Sequence, residues 1–340
     1  MRKAGEEFRP EMLRGRVDSF VKKLRELLSD ATDEAVHDAR VESRRMRAAL
    51  EAFHEMFPWR PFDSAYKSVR RITQILGGPR ETAVSLDLVR DLERSRAAEP
   101  FCLEYLHKRL ASKLKKREAR LRKGLERVDP LRLQSRLEFL LSVMEPASWP
   151  DHPHQPPLFP MREGALEQAQ TVLTSLTAPI SGFRTLERFK AATDLELHSL
   201  RIAAKKSRYA MEMFSSIWPG GLSASIERAR KFQELSGAYN DWSVLRSCFE
   251  DEIKRLDSPG SVGLAFEIGR LAAYAEQRKA SMKAPMRAAL IELQQSLTGL
   301  AAAFRLADSG RMATARSGRI RRQPKPQKAI PLASAGTGAA

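Results

Sequence analysis

One run of residues occurs twice. His37-Asp38-Ala39-Arg40-Val41-Glu42-Ser43-Arg44-Arg45-Met46-Arg47 returns 161 positions later as His198-Ser199-Leu200-Arg201-Ile202-Ala203-Ala204-Lys205-Lys206-Ser207-Arg208. The same register continues without a gap through Leu50, Glu51, Phe53, Phe57 and Pro58, matched by Met211, Glu212, Phe214, Trp218 and Pro219. Chance does not supply agreement in charge, aromatic position and closing proline over such a length, so the chain carries two copies of one unit. A weaker pair follows: Arg70-Arg71-Ile72-Thr73-Gln74-Ile75-Leu76-Gly77 resembles Ala229-Arg230-Lys231-Phe232-Gln233-Glu234-Leu235-Ser236 at an offset of 159, a two-residue difference in the intervening loop.

The unit is helical. Placed on a helix at about 100° per residue, His37, Arg40, Arg44, Arg47 and Glu51 fall within roughly 80° of arc. Ala39, Met46, Leu50 and Phe53 lie on the far side. The second copy repeats this with His198, Arg201, Lys205, Arg208 and Glu212 against Leu200, Met211 and Phe214. Elsewhere Leu103, Leu106, Leu110, Leu114, Leu121 and Leu125 recur at spacings of three, four and seven between Phe101 and Val128, again one helix face. No alternating apolar run and no Asn-Gly or Asp-Gly hairpin signal is present, so the fold class is all-α.

The chain of 340 residues is long enough for two ordinary domains or one large duplicated one. Pro146 to Pro160 holds six prolines in fifteen residues and cannot continue a helix. The expected organisation is a first helical half over 1–145, a proline-rich linker over 146–160, a second helical half over 161–307, and a disordered basic tail over 308–340. Cys102 and Cys248 are the only cysteines. Without a CxxC or a Cys/His partner they suggest neither a disulfide framework nor zinc. His152 and His154 in the linker are a weak metal pair. The N-terminal stretch lacks the apolar core of a signal peptide, and no run of about 18 apolar residues suggests a membrane span. A reducing cytoplasm is the default location.

Charge points to the partner. Lys and Arg number 59 against 42 Asp and Glu, a formal net charge of +17. Such an excess favours nucleic acid, polyphosphate or an anionic membrane surface. A basic stripe on one amphipathic helix is ordinarily a solvated face. Here like charges repel at helical spacing, and the arrangement occurs twice with His leading each time, which a solvated face does not require. The residue types suit phosphate: Arg grips its oxygens bidentately, Lys supplies a compact charge, and His adds a donor when protonated. The stripe side chains are expected to face solvent. The Phe101–Val128 helix adds a third basic region, with ten Lys and Arg including Lys113, Arg117 and Arg120.

Phosphoryl transfer would need a metal site or an activated nucleophile. No Walker A loop, HExxH or carboxylate cluster accompanies the stripes. Asp38 becomes Ser199 in the second copy, while Glu51 and Glu212 recur and are read as ion-pair partners that orient Arg47 and Arg208. No catalytic residue, cofactor or metal is expected.

At these residues the sequence resembles the CHAD family, named for its conserved histidine and α-helical domain. The family pattern is a His, an Arg three residues on, then an Arg/Lys cluster ending in Arg before a Phe-containing helix end. Both copies match it, and Tyr209 follows Arg208 as the family often has it. Leu76-Gly77-Gly78-Pro79-Arg80 resembles the family's Leu-Gly-x-x-Arg-Asp turn, and Leu235-Ser236-Gly237-Ala238-Tyr239-Asn240-Asp241 its counterpart. The resemblance covers about residues 10 to 305. Glu81-Thr82 replaces the Asp usual after Arg, and Glu42 adds a negative charge inside the first motif. The resemblance implies two antiparallel four-helix bundles related by a pseudo-twofold axis, with the motif helices lining a basic groove. It implies binding of inorganic polyphosphate and, in some members, association with polyphosphate granules. The Glu-x-Glu-x-Lys strand signature of the CYTH domain that accompanies some members is absent. The expected polyphosphate-binding set is His37, Arg40, Arg44, Arg45, Arg47, His198, Arg201, Lys205, Lys206, Arg208, Lys113, Arg117 and Arg120. The alternative partner is nucleic acid, held by the same surface and the basic tail; against it stand an aromatic content of 7% and the lack of stacking residues in the stripes. A third reading is a helical scaffold for an acidic protein.

Overall fold

The computed structural model describes residues 10–54, 57–143, 165–218, 221–256 and 258–320, and the described residues form no strand. The helices are α1 (Pro10–Ser29), α2 (Asp33–Ala52), α3 (Trp59–Arg94), α4 (Pro100–Leu125), α5 (Pro130–Val143), α6 (Ala165–Ser181), α7 (Leu186–Lys190), α8 (Asp194–Phe214), α9 (Ser223–Ile253) and α10 (Val262–Ile320). The two copies of the repeat are therefore α2 and α8. The all-α reading holds.

Both copies start on the same cap. Thr32 accepts from the Ala35 amide at 3.1 Å, and Thr193 accepts from the Glu196 amide at 3.3 Å while Glu196 returns a bond to Thr193. A side-chain oxygen at this position satisfies an amide that the first helical turn leaves unpaired. Ala31-Thr32-Asp33 and Ala192-Thr193-Asp194 are identical at the offset of 161, so the repeat begins at the cap rather than at the His.

Residues Met1–Thr298 form one unit and Gly299–Ala340 a second. In the first, α2 packs on α1 and α3, α1 and α3 also meet α5, and α8 packs on α6 and α9. Ala39, Met46, Leu50 and Phe53 are all buried, as are Leu200, Met211 and Phe214, which places the apolar faces of both copies in the core. A further core joins the two halves of the sequence: Leu86, Val89 and Leu92 of α3, Leu103, Leu106 and Leu110 of α4, Trp242, Leu245 and Phe249 of α9, and Ile268, Leu271 and Ala275 of α10.

Helices α2 and α8 also touch each other, and the contact is reciprocal. Phe53 and Phe214, equivalent residues of the repeat, meet edge-to-face at 5.7 Å. Lys206 reaches Glu51 at 2.6 Å, and Arg45, its equivalent, approaches Glu212 at 3.7 Å. Like surfaces meeting through like residues is the pattern of an isologous contact.

Two expectations need correction or completion. Leu76–Arg80 and Leu235–Asp241 are not turns but lie inside α3 and α9. Pro79 removes one backbone hydrogen bond, at a cost of about 3 kcal/mol in an isolated helix; here Leu76, Pro79 and Thr82 are buried along one face, and that packing carries the helix through. The helix α10 also continues past Asp308 to Ile320, where Ala, Arg and Met favour helix by propensity. Residues 321–340, like the linker at 146–160 with its His152 and His154, lie outside the described residues.

Candidate functional site

The stripe of α8 runs antiparallel along one face of α9. The His198 Nδ1 lies 2.7 Å from the Asn240 Oδ1. Arg201 lies against Gly237, where an added Cβ would sit 3.6 Å from the guanidinium. Arg208 donates from Nε to Gln233 at 3.1 Å, and Gln233 in turn donates to the Ala204 carbonyl at 3.2 Å. The α9 residues met in this way are Gln, Gly and Asn, all neutral. A Cβ at that distance would make ordinary van der Waals contact, so Arg201 rests over a small residue that a methyl group could also provide. Gly78, at the matching position of α3 in the 159 offset, lies in the same way beside Arg117, whose Cδ would be 3.7 Å from a Cβ there.

The cations of the two stripes divide into two sets. Arg47 pairs with Glu51 at 3.2 Å, Arg208 with Glu212 at 2.5 Å, Arg45 with Glu42 at 2.6 Å, and Lys206 with Glu51 at 2.6 Å. Tyr66 donates to Glu51 at 2.6 Å. Burial pushes the Glu51 carboxyl up, but Lys206, Tyr66 and Arg47 outweigh it and hold the group below its ordinary pKa. Glu51 and Glu212 thus engage Arg47 and Arg208 as expected, and in addition each reaches across to the other copy.

Arg40, Arg44, Arg201 and Lys205 form the second set. Among the described residues none has a carboxylate at ion-pair distance. They are half-buried, not solvent-facing as the helical projection suggested. The projection treats each helix alone; here α2 and α8 meet and α9 covers one flank of α8. Burial lowers the Arg40 pKa to about 10, helped by Arg44, Arg80 and Arg201. Burial lowers Arg44 and Arg201 as well. Lys205 is displaced most, to about 6, by burial and then by Arg201, Arg44, Arg40 and Arg208. The Nε groups of Arg44 and Arg201 are buried without a hydrogen-bond acceptor. Unmet donors of this kind are costly, and an anion with several oxygens would satisfy them.

Other expected residues fall at the margins. His37 is exposed on α2, and Asp38 beside it is held by Lys23 of α1 at 3.0 Å. Arg117 donates to the Gly78 carbonyl at 2.8 Å and to Glu81 at 3.0 Å. Lys113 lies 3.9 Å from the Cys248 Sγ. Lys113 and Arg117 share a cavity of about 400 Å³ with His198 and Asn240, so the basic face of α4 meets the end of the α8 stripe there. Glu81, Asp194 and Asp251 line the same cavity and temper its charge. Arg120 is exposed and does not line it. No group of His, Cys, Asp and Glu among the described residues could hold a metal ion, both cysteines are free, and no described helix is long and apolar enough to cross a membrane.

The helical projection missed Arg80, Asn240 and Asp241, which come from α3 and α9. Their signal was the second repeat at offset 159, which places Gly78 with Gly237 and Glu81 with Asn240. It also missed Lys279 of α10, buried at 2% exposure and paired with Asp194 at 2.5 Å. Asp194 further accepts from Tyr239 at 2.6 Å and Ser243 at 2.7 Å, which fixes the start of α8 against α9.

The family model of the CHAD domain matches residues 11–250. The chain belongs to the CHAD family. Its match takes in both stripes and the α9 face that carries Asn240 and Asp241. The CHAD chain is similar to the solved CHAD domain from the plant Ricinus communis, with a TM-score of 0.60 at 21% identity over 83% of this chain and 89% of that one. It is similar also to PptA from Streptomyces chartreusis, with a TM-score of 0.60 at 16% identity over 85% of this chain and 97% of the other. At these identities the likeness is one of fold. No curated protein matches the chain.

Proposed function

We propose that this CHAD chain binds inorganic polyphosphate without transforming it, along a basic groove formed where α2, α8 and α9 meet. One observation carries the reading: Arg40, Arg44, Arg201 and Lys205 are drawn together, half-buried and without carboxylate partners, with buried guanidinium donors unmet. Such a cluster is unfavourable by itself and becomes favourable when a dense, flexible polyanion enters it. Arg45, Arg47, Lys206 and Arg208 then brace the two helices through Glu42, Glu51 and Glu212 and add to the field. His37 and His198 stand at the ends of the stripes, and Lys113 and Arg117 extend the path beyond His198. The two sets of four helices expected around this groove belong to the same reading.

Polyphosphate fits better than nucleic acid because it is thin and has no bases, and the stripes offer no aromatic platform. The test is a two-way competition near physiological ionic strength between polyphosphate of tens of units and RNA of equal total charge. Long polyphosphate should displace RNA, while RNA displaces it poorly, and affinity should fall steeply with salt. Equal displacement in both directions would make the chain a general polyanion binder; preference for RNA would put nucleic acid first.

A further inference from the structure

The cationic cluster contains one carboxylate. Asp241 of α9 follows Asn240, which touches His198, and lies one turn from Gly237, against which Arg201 rests. Its charge is felt by Arg201, Arg80 and Arg40, which come from α8, α3 and α2. The matching residue in the first half is Thr82, a buried neutral side chain whose hydroxyl is directed at the Gly78 carbonyl. Among the described residues Asp241 is therefore the carboxylate that neighbours the cations left without an ion pair, while Glu42, Glu51 and Glu212 are engaged by Arg45, Arg47, Lys206 and Arg208.

We propose that Asp241 is a specificity-determining residue that sets the minimum charge a ligand must bring: it acts as a tethered counter-anion that a single phosphate fails to displace and a long polyphosphate succeeds in displacing. The inference rests on the polyphosphate reading and adds to it a means of rejecting small phosphates. A tethered carboxylate competes at an effective concentration of about millimolar or more. Orthophosphate and pyrophosphate must exchange against it one for one at the Arg40–Arg80–Arg201 position and gain little elsewhere. A long chain also reaches Arg44, Lys205 and Arg208, so it retains most of its contacts while Asp241 is displaced. Burial holds the Asp241 carboxyl above its ordinary pKa even with three guanidiniums near it. Among the described residues no cation stands at ion-pair distance from Asp241, so the carboxylate can give way to a chain that brings more charge, unlike Asp194 with its buried lysine.

The experiment titrates wild type, Asp241→Asn and Asp241→Thr with orthophosphate, pyrophosphate and polyphosphate of tens of units at one salt concentration. Asn keeps the size of the side chain, and Thr copies the residue of the first half. Thermal melting reads whether each variant folds, and either folded variant suffices. Pyrophosphate affinity should rise about tenfold or more in the variants and long-chain affinity far less, so that the preference for length shrinks by about that factor. An unchanged preference, or an equal gain for every ligand, overturns the role of Asp241 while leaving polyphosphate binding in place. A wild-type protein that fails to bind the long chain overturns the polyphosphate reading itself, and this inference with it.

Discussion

Lys205→Met keeps the aliphatic stem of the side chain and removes its amine. In the folded protein burial and four arginines bring that amine to about 6 from 10.5. The unfolded chain holds the proton up to the ordinary value, so between these two pH values unfolding takes up a proton. Stability then rises as pH rises through that window and falls as pH drops toward 6. Each pKa unit is worth about 1.4 kcal/mol, which at pH 7 caps the penalty at about 5 kcal/mol. Water at the half-buried amine brings it to roughly 1–3 kcal/mol. Methionine removes that penalty, so the variant should melt a few degrees higher at pH 7 than wild type. It should also lose the part of the wild-type stability gain between pH 6.5 and 9 that Lys205 supplies. Binding should move the other way. A polyanion restores the proton to Lys205, so wild-type affinity for long polyphosphate should rise as pH falls from 9 to 6, by at most about tenfold per pH unit. The variant should bind more weakly and lose this part of the pH response. Calorimetric melting and titration in buffers of different ionisation heat read both effects. A variant less stable at pH 7 than wild type, or one with the same proton uptake on binding, would refute the claim that Lys205 is held among cations without an anion.

Changing Arg40, Arg44 and Arg201 together to Gln should lower polyphosphate affinity by about a hundredfold or more, since each charge-assisted contact is worth roughly 1.5–3 kcal/mol. Deleting residues 321–340 should cost little by comparison, and a titration in which the deletion has the larger effect would move the site to the tail. The Asp194 carboxyl is held at about 2, below its ordinary 3.8: burial pushes it up, but Lys279, Tyr239 and Ser243 prevail. Its contribution to stability is thus present above pH 4 and lost as pH falls toward 2. Lys279→Met should destabilise the fold by about 3 kcal/mol and reduce that acid dependence, measured by denaturant melts at pH 3 and 6.

The helix class and the two stripes were legible because both rest on periodicity within one helix. The faces of α2 and α8 could be drawn from the sequence, and Ala39, Met46 and Leu50 are buried where the projection put them. The projection could not say what each face meets. Arg40 and Lys205 read as solvent-facing because a single helix has no neighbours, whereas packing of α8 on α2 and α9 encloses them. The same blindness treated Arg44 and Arg45 as equals, although among the described residues Arg44 has no carboxylate at ion-pair distance and Arg45 is tied to Glu42. Leu76–Arg80 was expected as a turn on the family resemblance; burial of Leu76 and Pro79 carries the helix through instead. Lys279 was invisible, since a lone lysine on a long helix gives no sign that Asp194 waits 85 positions earlier.

Phe53 meeting Phe214, and Arg45 and Lys206 reaching across to each other's carboxylates, give α2 and α8 the interface of a symmetric dimer within one chain. In a true dimer every substitution appears on both sides at once. Here it does not, and the copies have drifted apart at chosen places. Asp241 faces Thr82 in the register, Asp194 binds a buried lysine while Asp33 stands exposed, and His198 is held by Asn240 while His37 is not. The proposed groove consequently has two unlike ends, although the chain of phosphates proposed to lie in it reads the same in either direction.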